Sequence, residues 1–166
     1  GWNFTKAAIE MAALKVIEQN TGISPFDTIN KNPLKEVPVG ISMGLYTDLD
    51  HMRTSVQSAL DTGYRRLKFK ISPAVRTDFF DAVNPILLKA DTYVSFDANG
   101  SFGEDDFDTL GYFVNTYKTM VEQPIAPGRY DVLLKAKERF PDMFVCFDEE
   151  VKSIGDLIFV PMFSSS

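Results

Sequence analysis

Four charged residues recur along this chain at a nearly constant interval. Lys70, Asp97, Glu122 and Asp148 are separated by 27, 25 and 26 residues. Each stands near the end of a run rich in β-branched and aromatic residues: "RRLKFKIS", "TYVSFDANGSF", "TMVEQPI" and "DMFVCFDEEV". Helical patterns of roughly 10–15 residues lie between the runs, and an earlier run, "VPVGISMGL", supplies a fifth strand. An interval of this size is the length of one βα unit, and strands alternating with helices argue for a parallel sheet. The expectation is an α/β fold of about five parallel βα units forming part of a (β/α) barrel. In such a barrel, side chains at the carboxyl ends of the strands build active sites, while those in mid-strand fill the core.

The remaining elements follow from pattern and punctuation. "GWNFTKAAIEMAALKVIEQNTG" reads as an amphipathic helix from about Phe4 to Gln19, stopped by Gly22, and not as a signal peptide, because Lys6, Glu10, Lys15 and Glu18 break its apolar run. A linker, "SPFDTINKNPLKE", separates it from the first strand. "DLDHMRTSVQSALDTGY" is a helix capped by Asp48 or Asp50, and "RTDFFDAVNPILLKA" is helical but interrupted by Pro85. "EDDFDTLGYFVNTY" and "RYDVLLKAKERF" complete the helices, "SIGDL" is a last helical turn, and "IFVPMFSSS" is left without an element. The division expected is residues 1–35 for the first helix and linker, and residues 36–166 for the partial barrel.

The strand ends carry the chemistry. Three carboxylates converging from neighbouring strands are costly unless a cation neutralises them. Oxygen-only ligands suit a hard divalent ion, with Mg²⁺ favoured because it leaves room for waters and substrate oxygens. The metal ligands expected are Asp97, Glu122 and Asp148. Lys68 and Lys70, two apart on one strand, point the same way. Lys70 is expected to act as a base, neighbouring positive charge favouring its neutral form, with Lys68 holding an anionic substrate group. A single acid at a strand end is ordinarily a loop residue or a helix cap; four charged ends at one period are not ordinary.

Lesser candidates surround this set. Asn99 in "DANG" either supports the metal site or makes the turn with Gly100. Glu149 faces away from Asp148 and is either a surface acid or a supporting partner, and Ser42 on the first strand either reaches a substrate carboxylate or faces the core. Cys146 shares the face of Asp148 and reads as a small hydrophobe, and His51 as a solvated helix residue. A net charge of −6 argues against a nucleic-acid or anionic-membrane partner. One cysteine forms no internal disulfide, which suits a cytoplasmic setting. No stretch of about 18 apolar residues spans a membrane.

"KFK", "FDAN", "EQP" and "FDEE" at these intervals resemble the muconate-lactonizing branch of the enolase superfamily. "KAAIEMA", "VPVGISMG", "GYRRLKFKISP" and "FDEEVKS" narrow the likeness to o-succinylbenzoate synthases and their relatives that racemise N-succinylamino acids. The resemblance runs from about Lys6 to Asp156 and implies a TIM-type barrel. It further implies Mg²⁺ on Asp97, Glu122 and Asp148, and removal by Lys70 of the proton α to a substrate carboxylate. Stabilisation of the resulting enediolate and loss of water to give o-succinylbenzoate, on the route to menaquinone, complete what it implies. Racemisation or epimerisation of an acylated amino acid is the alternative within the branch. A different alternative is an inactive barrel fragment that folds by pairing, including with a second copy of itself. The chain departs from the family pattern in several places. An N-terminal capping domain is expected and only its last helix is present, as is a further lysine on a sixth strand. Glu150 stands where serine follows the "DE" pair, and "NKNPLKEVPVG" lacks the usual Gly-Gly. The chain is therefore expected to be the middle of such an enzyme.

Overall fold

In a computed structural model, which describes residues 3–158 except 29 and 33, the chain divides into two compact units, Gly1–Pro38 and Val39–Ser166. The first unit holds α1 (Asn3–Thr21) and a 3₁₀ turn, Pro25–Thr28. The helix forms where expected, yet it is not amphipathic. Phe4, Ile9, Met11, Val16 and Ile17 are spread around the axis at 100° steps, interleaved with the charges, and no residue of α1 is buried.

The second unit alternates strictly. Its elements are β1 (Ile41–Met43), α2 (Leu49–Thr62), β2 (Arg66–Lys70), α3 (Thr77–Lys89), β3 (Tyr93–Asp97), α4 (Phe107–Tyr117), β4 (Met120–Glu122), α5 (Tyr130–Arg139) and β5 (Phe144–Cys146). The five strands form one sheet, all neighbours parallel, in the order β1-β2-β3-β4-β5. Sequential order with a helix between each pair is the topology of a (β/α) barrel segment. The helices cover one face, where Leu67, Phe69, Phe96 and Val121 are completely buried. Phe96 stacks with Phe113 (centroids 4.7 Å) and Tyr117 (4.9 Å), and Phe80 closes on Phe113 at 5.0 Å.

Local chemistry fixes the helix ends. Asp48 is the N-cap of α2, accepting a 2.7 Å bond from the His51 N–H, and Gly63, at φ 105°, terminates it. Pro85 does not interrupt α3, which runs through it. Proline offers no N–H to the Asp81 carbonyl one turn back, but Tyr112 braces that turn, donating 2.6 Å to Asp81 Oδ1 and 3.2 Å to the Thr77 carbonyl. "SIGDL" opens a 3₁₀ turn at Ile154–Ile158; the rest of "IFVPMFSSS", residues 159–166, lies outside the described residues. Among the described residues no helix is long and apolar enough to cross a membrane.

Candidate active site

Parallel pairing brings the carboxyl ends of all five strands to one edge, and the register decides which side chains meet there. Lys70 is level with Asp97, Asp97 with Glu122, and Glu122 with Cys146. One pleat back, Lys68 is level with Ser42 and with Ser95. Because Phe69, Phe96 and Val121 enter the helix layer, their neighbours Lys68, Lys70, Asp97 and Glu122 project from the opposite face.

The two lysines are held by acids. Lys68 Nζ lies 2.8 and 3.0 Å from the Glu122 oxygens and 3.3 Å from Asp97 Oδ2. Lys70 Nζ lies 3.6 Å from that same Asp97 oxygen and donates to Asn99 Oδ1. The acids are the buried partners: the side chain of Asp97 is 5% exposed and that of Glu122 13%. Burial alone would push Lys68 down, but its bonds to Glu122 and Asp97 outweigh this and hold its ammonium above the ordinary lysine value. Like charges on one strand are thus tolerated because Asp97 reaches both ammonium groups and Glu122 adds a second carboxylate to Lys68.

Asn99 both turns the chain and joins the site. Its φ of 46° is left-handed, and its N–H donates 3.2 Å to Asp97 Oδ1. Its Nδ2 donates 3.0 Å to Glu149 Oε1. Glu149 therefore does not face away from the site, as the strand pattern implied. The strand ends at Cys146, so period-two alternation no longer governs the residues beyond it. Next to Asn99, a Cβ on Gly100 would meet Ala126 Cα at 2.9 Å, so the loops after β3 and β4 touch backbone to backbone.

Gln123 is the residue that sequence reasoning missed. It is 2% exposed, with φ 38°, directly after Glu122. Its Oε1 accepts from the Asp148 and Glu150 N–H groups, both at 3.1 Å, and its Nε2 donates 2.9 Å to the Ile125 carbonyl. It thereby ties the loop carrying Asp148 to the end of β4. A glutamine between a charged strand end and a proline was the available signal. Glu150 adds a second tie, accepting 3.1 Å from the Gly128 N–H and bonding the Tyr130 hydroxyl.

Asp148 sits exposed on that loop, two residues past β5. Among the described residues no group of three or more His, Cys, Asp or Glu side chains is gathered closely enough to hold a metal ion. The structure brings Asp97 and Glu122 together through Lys68 and leaves Asp148 apart from them. The donor chemistry nevertheless suits a hard divalent ion: oxygens alone, from three adjacent strand ends, two of them already spanned by an ammonium cation. Ser42 is exposed beside Lys68. Cys146 is half-buried, and burial, then the charges of Glu122 and Asp148, push its thiol up, so it is a poor nucleophile.

No protein-family model matches the chain. An o-succinylbenzoate synthase of Enterococcus faecalis is 32% identical over 127 residues, covering 74% of this chain and 32% of that protein. An N-succinylamino acid racemase of Thermus thermophilus is 29% identical over 148 residues, covering 88% of this chain and 38% of the relative. Solved structures agree in fold. A probable mandelate racemase from Alicyclobacillus acidocaldarius superposes with a TM-score of 0.73 at 29% identity, over 96% of this chain and 41% of that one. An enolase-superfamily member from Listeria innocua gives 0.72 at 25%, over 84% and 36%. A dipeptide epimerase from Methylococcus capsulatus, crystallised with a magnesium ion, gives 0.56 at 24%, over 72% and 35%. The chain spans about a third to two fifths of the length of these relatives.

Proposed function

We propose that this chain, which resembles enolase-superfamily enzymes in both sequence and fold, carries part of the active site of an o-succinylbenzoate synthase-type lyase. The observation that carries the reading is the single row at the strand ends, where Lys70, Asp97 and Glu122 lie level and Lys68 spans the two acids. Residues 1–35 would be the last helix and linker of a capping domain, and residues 36–166 part of the barrel.

Asp97, Glu122 and Asp148 would hold Mg²⁺, which supplies positive charge against the substrate carboxylate when bound. Lys70, as the neutral amine, takes the proton from the carbon α to that carboxylate, and the C–H electron pair moves into the carboxylate as an enediolate. Lys68 lies on the same face and favours the added negative charge through its ammonium. Collapse of the enediolate expels the β-hydroxyl, which leaves as water on taking back from Lys70 the proton that the amine removed, and the new double bond completes the aromatic ring.

The test is dehydration of the o-succinylbenzoate precursor, followed by ultraviolet absorbance with and without EDTA. Lys70→Ala is expected to abolish turnover while leaving the circular dichroism unchanged, and near-native turnover in that variant overturns the assignment. Likeness to an N-succinylamino acid racemase supports a second reaction from the same base. That reaction would carry solvent deuterium into the α-position of an N-succinylamino acid.

A further inference from the structure

Glu149 has no place in the chemistry above, yet it is bound into the site. One oxygen, Oε1, accepts from Asn99 Nδ2 at 3.0 Å. The other, Oε2, is buried and meets no hydrogen-bond donor among the described residues. A buried carboxylate oxygen without a donor is costly, so a site that retains one calls for a reason. The orientation of Asn99 supplies it. An asparagine side chain presents a donor on one side and an acceptor on the other. An ionised carboxylate can only accept, so Glu149 draws the NH₂ group of Asn99 toward itself and leaves Oδ1 facing the other way, where it receives the Lys70 ammonium. The backbone of Asn99 is fixed independently, by its N–H on Asp97 and by the neighbouring Gly100 N–H on the Gln123 carbonyl at 2.7 Å. Only the amide rotation is left to be decided, and Glu149, which accepts, and Lys70, which donates, fix it from its two sides.

We propose that Glu149 is a positioning residue for Lys70, acting through the amide of Asn99. The inference rests on the reading of Lys70 as the base. With Glu149→Gln, residue 149 can donate as well as accept, so the amide of Asn99 is held in its orientation from the Lys70 side alone. The acceptor that anchors Lys70 is then less firmly placed. Displacement of a catalytic group by about 1 Å costs on the order of 100-fold in rate, and loss of a supporting partner typically about 10- to 100-fold.

The experiment reads the lysine directly. Protein labelled with ¹⁵N-lysine gives side-chain ammonium signals only for groups protected from water by hydrogen bonding, and the Lys70 signal is assigned by its loss in Lys70→Arg. The native protein is expected to show signals for both Lys68 and Lys70. Glu149→Gln should weaken the Lys70 signal, keep that of Lys68, and lower kcat by about 10- to 100-fold with little change in KM. Asn99→Leu, the second variant, should behave alike. A Lys70 signal as strong in Glu149→Gln as in the native protein overturns the proposal, as does its absence from the native protein. Loss of both lysine signals, which reports general loosening, overturns it too. If the native protein turns over neither candidate substrate, the proposed reaction fails and the ammonium signals alone decide the role of Glu149.

Discussion

Replacing Gln123 by methionine, which is similar in length and carries no hydrogen-bonding group, isolates what the tie between β4 and the β5 loop contributes. The left-handed backbone at 123 is equally unfavourable for both residues, so that contribution cancels. Three hydrogen bonds are lost. Ile125 is 3% exposed, so its carbonyl is left without a partner, at a cost of about 2 kcal/mol. The Asp148 and Glu150 N–H groups lie on a loop that water reaches, and losing them costs about 0.5 kcal/mol each. The larger apolar surface of methionine offsets about 1 kcal/mol. The net destabilisation is about 2 kcal/mol, a fall in Tm of roughly 4–8 °C for a chain of this size. Urea unfolding followed by circular dichroism measures it, with an unchanged m-value required for the comparison. A variant within about 0.5 kcal/mol of the native protein, the scale of an ordinary surface substitution, would refute the claim that Gln123 holds the loop.

Two more outcomes follow from the helix layer. Burial raises Tyr117 to about 12, and burial together with its bond to Asp81 raises Tyr112 further. Both phenols are held protonated in the folded state, so their contribution to stability is complete below pH 10; that of Tyr117 is lost as pH rises through about 12, and that of Tyr112 at higher pH still. Phenolate absorbance should show three of the six tyrosines titrating late, Tyr130 through its bond to Glu150 being the third, and Tyr117→Phe should flatten the loss of stability between pH 10 and 12; an unchanged slope would contradict the burial argument. On α4, Gly111→Ala would place a Cβ 2.8 Å from the Phe140 ring. Overpacking of about 1–3 kcal/mol exceeds the roughly 1 kcal/mol gained in helix propensity, so the variant should melt lower, and a higher Tm would show that the ring moves aside freely.

The sequence carried the topology because period and alternation are backbone properties. Lys70, Asp97 and Glu122 close their strands where the interval placed them, and Asp48 caps α2 as its residue type implied. The failures have local causes. The charges of α1 fall at intervals that look like one polar face until its apolar residues are placed around the axis. Pro85 reads as a break because the brace on its turn comes from Tyr112 on α4, 31 residues from the Asp81 it binds, and leaves no trace near the proline. Of the two readings left open for Glu149, its bond to Asn99 favours the supporting partner; strand alternation could not choose, because the strand ends at Cys146. Gln123 was passed over because its three partners, at positions 125, 148 and 150, are assembled only by folding. The acids that hold the Lys68 ammonium come from β3 and β4, so nothing within β2 announces them.

The alternation of the sheet has a consequence for how errors in pairing are punished. Strand side chains change face every residue, so sliding β3 by one position against β2 would send Phe96 out of the helix layer and drive Asp97 into it. A misaligned sheet would bury carboxylates among Phe80 and Phe113 and expose aromatic rings to water, losing the stacking of Phe96 on Phe113 at 4.7 Å. The charged row and the apolar layer are thus two readings of one alignment. Selection for a well-packed interior proofreads the placement of the charged side chains, and a substitution on the helix side can disperse that row without touching it.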